Sequence, residues 1–158
     1  MRNNKVALVT GSSKGIGRGI AIQLAKDGYD IAVHYATSKY EALNVVRTLT
    51  DLGVNVCLLQ GDTGDPDVPG RLVRETVEQL SRLDVLVNNA GFTEFEELRD
   101  VTVDVMDRLY RVNYRGMILG ASAAAKYMVE NEIQGSIIFN TSIRGFEPHS
   151  SDAVYGGL

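Results

Sequence analysis

Cysteine is nearly absent from this 158-residue chain. Cys57 stands alone, so no intrachain disulfide can form, and its place in an apolar run reads as a buried structural thiol. A reducing, cytoplasmic setting is the expectation. Histidine is as sparse: His34 and His149 stand apart, and with one cysteine they make no metal-ligand cluster. No apolar stretch approaches the length that spans a bilayer, because charged or turn residues interrupt each candidate. Positive charge is also in short supply. The net charge is -4 and no basic run exceeds a residue or two, so neither nucleic acid nor an anionic membrane is an expected partner. Repeats, low-complexity tracts and linkers are missing. Met1-Arg2-Asn3-Asn4-Lys5 leads directly into an apolar segment with no signal peptide. What is present, 44% hydrophobic and 23% charged residues, suits one globular domain over residues 1–158 with room for a core.

Apolar runs and helical periods alternate along the chain. Residues 6–9 read as a buried strand ending at Gly11. From Gly15 the pattern turns helical, with Ile16, Ile20 and Leu24 four apart and Gly28 as the stop. Residues 31–35 form a second strand, and Ala42, Val45, Val46 and Leu49 mark a second helix closed by Gly53. Residues 54–59 are a third strand, apolar enough to be covered on both faces. A turn-rich segment with two prolines fills 61–70, and Leu72, Val73, Val77 and Leu80 outline a third helix. A fourth strand at 84–87 runs into Asn88-Asn89-Ala90-Gly91. Thr102 can cap a long helix to about residue 130, with Asp104 in its first turn. Residues 136–140 are a fifth strand, followed by a loop containing Pro148. Connections too long for hairpins predict an α/β fold, a parallel sheet with helices on both faces.

Thr10-Gly11-Ser12-Ser13-Lys14-Gly15-Ile16-Gly17 falls between the first strand and the first helix, the context that gives a glycine fingerprint meaning. Gly11 permits the tight turn, Gly15 lets backbone approach a pyrophosphate, and Gly17 allows close packing of the helix. Unpaired amides at the helix N-terminus then offer partial positive charge to phosphates. Three residues separate the first two glycines, where the commonest dinucleotide pattern has one. The plainer alternative is a glycine-rich turn that only joins strand to helix.

This spacing, followed by Asn88-Asn89-Ala90-Gly91 after the fourth strand, resembles the short-chain dehydrogenase/reductase family, and the likeness runs in register over the whole chain. It implies a Rossmann-type doubly wound parallel sheet. It also implies that an NAD(P)(H) cofactor is held by Gly11, Ser13, Lys14, Gly15, Ile16 and Gly17, with Asn89, Ala90 and Gly91 against the adenosine ribose. Asp62 would meet the adenine amino group, with Thr63 beside it. Alone, Asp62 reads as a loop carboxylate. The family's chemistry moves a hydride between the nicotinamide and a carbon atom while a proton is exchanged at oxygen. Tyr155 is the implied acid/base, which also borders the cofactor, and Ser142 the donor that positions the oxygen. Asn113 matches the helix-kinking asparagine that holds a water in the proton relay. An asparagine inside a helix is unfavourable by propensity, so Asn113 asks for an explanation in any case.

The family motif runs from the tyrosine through three residues to a lysine; Tyr155-Gly156-Gly157-Leu158 supplies the tyrosine and the three spacers, and there the sequence ends. A phenol titrates near pH ~10, so bringing it toward 7 takes roughly 4 kcal/mol of differential stabilisation. Part of that would come from the lysine, so the 158-residue species is expected to be a poor catalyst alone. The sheet is likewise expected to be incomplete at its C-terminal edge, with the fifth strand exposed for pairing and the chain a portion of a longer protein. A short protein that keeps only the binding fold is the alternative.

An acidic residue at the end of the second strand marks NAD-preferring relatives. Tyr35, Ala36, Thr37 and Ser38 occupy that place, followed by Lys39. No carboxylate stands there to repel a 2′-phosphate, and Lys14, Thr37 and Ser38 can bind one, which favours NADP(H) with NAD(H) possible. The substrate would be a small carbonyl or alcohol, in the style of 3-oxoacyl-carrier-protein reductases or sugar and polyol dehydrogenases. A homo-oligomer, dimer or tetramer, follows from the same likeness. The competing reading is a catalytically inactive nucleotide-binding module. Retention of Asn113, Ser142 and Tyr155 favours the enzyme, since binding alone needs none of them.

Overall fold

Wholly apolar Val6–Val9 (β1) lies at the centre of a five-stranded parallel sheet. The computed structural model describes residues 5–147 and 149–158; the N-terminal approach to β1 at Met1–Asn4 and the loop's Pro148 lie outside the described residues. Asp30–Tyr35 (β2), Val56–Gln60 (β3), Val85–Asn88 (β4) and Ser136–Phe139 (β5) complete the sheet in the order β3-β2-β1-β4-β5. Each neighbouring pair is parallel.

The strand period of two divides the side chains between two cores. Ala7, Val9, Ile31, Val33, Val85 and Val87 face one side. There they meet Ala21 and Ala25 of Gly15–Lys26 (α1) and Ala42, Val45 and Leu49 of Lys39–Asp51 (α2). Leu8, Ala32, Cys57, Leu59 and Leu86 face the other side. Their partners include Leu72 and Val73 of Val68–Leu80 (α3) and Ala124 and Met128 of Met117–Glu130 (α5). Both faces are thus covered, as the alternation of elements predicts. Among the described residues no helix is long and apolar enough to cross a membrane.

Three local readings change. The turn-rich stretch expected to reach Gly70 ends earlier, because α3 starts at Val68 with Pro69 in its first turn; proline's missing N–H is no loss there and its fixed φ suits the helix. Strand β3 begins at Val56 and is an edge strand, yet both its faces are covered: Cys57 and Leu59 are buried on the α3 side, and half-buried Val56 and Leu58 pack against the α1/α2 core. The long helix does run from a Thr102 cap, whose hydroxyl accepts from Val105 N–H at 3.4 Å. It is not uniform: Val103–Tyr110 (α4) passes through a π-helical segment, Arg111–Gly116, before α5.

Beneath the sheet, buried Asp84 accepts from Val6 N–H at 2.8 Å and from both arms of the Arg82 guanidinium. That pins the start of β1 to the start of β4. Cys57 is buried, and desolvation pushes its thiol up to about 12, which leaves it a protonated, inert core group.

Candidate functional site

In a parallel sheet every strand ends on the same side, so the segments that follow the strands gather along one edge. Here β1 leads into Gly11–Gly17, β2 into Ala36–Ser38, β3 into Asp62, β4 into Asn89–Gly91 and β5 into Ser142. Strand connections run outward in opposite directions from β1 and β4, which makes the gap between them a topological switch point.

Asn89 organises that gap. Its N–H donates to Thr10 Oγ1 at 2.9 Å, and its Nδ2 donates to the carbonyls of Thr10 at 2.8 Å and Gly11 at 3.2 Å. Its Oδ1 accepts from Asn140 Nδ2 at 2.8 Å. Thr10 Oγ1 takes a second amide, Ala90 N–H, at 2.9 Å. One asparagine therefore ties the tips of β1, β4 and β5. Gly11 turns with a φ of 64°, the left-handed region that glycine enters freely. A Cβ on Gly17 would meet the Gly11 carbonyl oxygen at 2.5 Å and press on the Asn89 amide, so glycine is required there by contact with the loop.

The loop's outer half faces solvent. Lys14, Gly15 and Ile16 are exposed, Ile16 at 68%. Gly15 has a φ of 56° and open space where a Cβ would sit. Lys14 precedes α1 without capping it by a side-chain hydrogen bond, so the first-turn amides are not spent on a local oxygen. Ser13 is buried at the loop's base.

The remaining expected contacts divide by exposure. Ala36 and Thr37 are exposed and Ser38 half-buried at the start of α2. Tyr35 has its ring 5% exposed within the α1/α2 core, so at this edge it offers its backbone. Its carbonyl accepts from Gly61 N–H. Asp62 is exposed and accepts from Gly64 N–H at 2.8 Å, while Thr63 beside it is buried. Past Asp62 opens a groove of about 490 Å³ bordered by Phe92, Arg108, Arg111 and Arg115.

Asn113 sits in the middle of the π segment, so the helix is interrupted at this residue. Its Oδ1 accepts from Phe92 N–H at 3.1 Å and its Nδ2 donates to the Phe92 carbonyl at 2.7 Å. The side chain thus clamps the turn leaving Gly91. Ser142 Oγ accepts from Arg144 N–H at 3.2 Å and opens the 3-10 turn Ile143–Gly145. Tyr155 is half-buried in the short helix Ala153–Gly156 (α6). Buried Asp152 joins these two parts: Arg144 pairs with it at 3.3 Å, and His149 N–H donates to it at 3.0 Å. Thr10, Asn140 and Asp152 were not singled out by sequence, and only the position of Thr10 and Asn140 at strand ends hints at their work.

His34 stands alone in the sequence, with no second ligand-type residue beside it. It is 1% exposed within β2. Its Nδ1 accepts from Gly11 N–H at 2.9 Å and its Nε2 lies 3.0 Å from the Gly61 carbonyl. Burial, with Arg71 adding to it, pushes its pKa down to about 4 against the smaller opposing effects of the Gly61 carbonyl and Asp62. The ring is therefore neutral, with the proton on Nε2, since a carbonyl can only accept. A buried polar residue in an otherwise apolar strand was the signal available. Among the described residues no group of three His, Cys, Asp or Glu is arranged to hold a metal ion.

A doubly wound parallel sheet with a glycine turn at its switch point is a dinucleotide-binding architecture. The profile of the short chain dehydrogenase family matches residues 5–157, and the chain belongs to that family. It is similar to versicolorin reductase 1 of Aspergillus parasiticus, 39% identical over 159 residues that cover 98% of this chain and 58% of that protein. It is also similar to the 3-oxoacyl-acyl-carrier-protein reductase of Staphylococcus aureus, 38% identical over 98% of this chain and 63% of the relative. A short chain dehydrogenase from Burkholderia cenocepacia, solved in complex with NADP, superposes with a TM-score of 0.90 at 35% identity, covering 97% of this chain and 62% of that one. The chain spans about three fifths of the length of these relatives.

Proposed function

We propose that this chain is the nucleotide-binding part of an oxidoreductase that interconverts a carbonyl and an alcohol by hydride transfer, with NADP(H) preferred to NAD(H). The observation that carries the proposal is the convergence of the glycine loop, the Asn89 hub and the Ser142 and Tyr155 segments on one edge of the sheet.

The loop suits a dinucleotide's diphosphate. Gly15 leaves space for close approach, the first-turn amides of α1 carry no side-chain cap, and Lys14 adds positive charge. Exposed Ile16 supplies an apolar cover for a bound group. Asn89, Ala90 and Gly91 border the adenosine ribose in this reading, and Asp62 and Thr63 form the adenine side, Asp62 through its exposed carboxylate. Ala36, Thr37 and Ser38 present hydroxyls and no carboxylate beyond β2, which accommodates a 2′-phosphate that an acidic residue would repel. Titration of the chain with NADPH and NADH tests the preference; equal affinities at low salt would remove it.

A nicotinamide cofactor held by the glycine loop and by Asn89, Ala90 and Gly91 would supply or accept the hydride. Tyr155 exchanges the proton at the substrate oxygen, and Ser142 donates a hydrogen bond that fixes that oxygen beside it. Asn113 holds the Phe92 turn and, in the π segment, the water that relays the proton. In a species whose wild type turns over a carbonyl substrate, Tyr155→Phe should lower turnover about 100-fold or more while NADPH affinity is kept; an unchanged rate there would overturn the assignment. Substrates of the 3-oxoacyl-thioester or sugar and polyol kind fit the relatives' chemistry. An exposed stripe along the long helix, Val103, Met106, Tyr110, Tyr114 and Ile118, favours a homo-oligomer through that face, which sedimentation of the purified protein would test.

A further inference from the structure

We infer that His34 is a positioning residue for the dinucleotide: its ring, braced on the Gly61 carbonyl beside Asp62, holds the Gly11 turn of the phosphate loop in place. The inference rests on the reading of the site given above and adds a residue that reading does not use. His34 belongs to no catalytic group and is sealed from solvent. Yet its bonds go to the segments on either side of the proposed cofactor path. Nδ1 receives Gly11 N–H at 2.9 Å and Nε2–H reaches the Gly61 carbonyl at 3.0 Å, next to Asp62.

The main chain of His34 reinforces the same contact. Its carbonyl accepts from Ser12 N–H at 2.9 Å, and its own N–H donates to Ser12 Oγ at 3.0 Å. The first two residues of the glycine turn are thereby fixed to β2 by three bonds. Gly11 is held from the opposite side through its carbonyl, which accepts from Asn89 at 3.2 Å. The Gly11 peptide thus lies between His34 and Asn89, and Gly17 stacks against it. Release of the His34 end frees the turn on which the α1 amides depend. Such hydrogen bonds, part-buried with the ring end sealed, are costly to leave unmade, because the stranded donor loses its fixed partner.

The two ends of the bridge can be separated by substitution. In His34→Asn the amide oxygen occupies nearly the place of Nδ1 and can accept Gly11 N–H, while Gly61 loses its donor. In His34→Gln the longer amide reaches toward Gly61. His34→Phe keeps ring volume and removes both. The full chain of each variant, shown to be folded by circular dichroism, is titrated with NADPH. The inference expects His34→Phe and His34→Gln, which lose the Gly11 bond, to weaken binding by about tenfold or more, since one such hydrogen bond is worth about that factor, and His34→Asn, which keeps the Gly11 bond, to stay within about threefold of wild type. Amide exchange at Gly11 should accelerate in the two weakened variants alone.

Folded variants that all bind NADPH like wild type would overturn the positioning role and leave the site reading intact. Equal weakening in all three would also overturn it, since a general loss of packing would then explain the result. A wild-type chain that binds neither NADPH nor NADH would remove both readings.

Discussion

Acid should unfold this protein partly through one buried ring. His34 has an ordinary pKa of 6.5 when exposed and about 4 in the folded chain. Between those values the unfolded chain binds a proton that the folded chain excludes, so stability rises with pH across the window. The contribution is complete above about 6.5 and is lost progressively as the pH falls toward 4. A difference of about 2.5 pH units, at ~1.4 kcal/mol each, amounts to roughly 3 kcal/mol. Little solvent discount applies, because the ring is 1% exposed. The charged groups that act on it, Arg71 and Asp62, oppose one another, so desolvation dominates. Urea unfolding of wild type and His34→Asn, at several pH values from about 7.5 to 4.5, isolates this ring because the carboxylates and His149 are common to both proteins. Wild type should be the more stable at neutral pH, and its advantage should shrink by roughly 2 kcal/mol or more over that range. Parallel profiles, or a His34 resonance that titrates near its ordinary value in the folded chain, would refute the reasoning.

Three further outcomes follow from buried contacts. Thr10→Val keeps the shape of the side chain but strands the amides of Asn89 and Ala90, so the unfolding free energy should drop by about 2–3 kcal/mol and NADPH binding should weaken; an unchanged urea midpoint would count against the hub. Gly17→Ala drives a methyl group into the Gly11 carbonyl, at about 1–3 kcal/mol, readable as a lower Tm together with a weaker NADPH titration. Asp84→Asn places a donor where Val6 N–H and the Arg82 fork need an acceptor. It should destabilise by about 2 kcal/mol without a selective effect on NADPH affinity in the folded protein, as a paired denaturation and binding measurement would reveal.

The sheet was legible because strand runs such as Val6–Val9 are unbroken and helix periods such as Ala42-Val45-Leu49 are clean. Edge position was not: a run of Val and Leu gives no sign that β3 has a strand neighbour on one side alone. Prolines misled at 61–70, since Pro69 starts a helix as readily as it breaks one. Asn113 announced an irregularity by its poor helix propensity, but a π segment clamped to Phe92 depends on a partner 21 residues away. His34 was hidden for the same reason. Both of its ring partners are backbone groups, 23 and 27 positions distant, and backbone leaves no mark in composition. At Tyr35 the strand's alternation, read from residues 31–35, already turns the ring into the α1/α2 core and leaves its backbone at the sheet edge.

Asp152 gives the segment after β5 a mechanical property. Its carboxylate grips Arg144, two residues beyond Ser142, and its carbonyl receives Gly156 N–H, one residue beyond Tyr155. The two hydroxyl-bearing arms are therefore rigged to a single anchor, and a displacement of either one drags the other along with it.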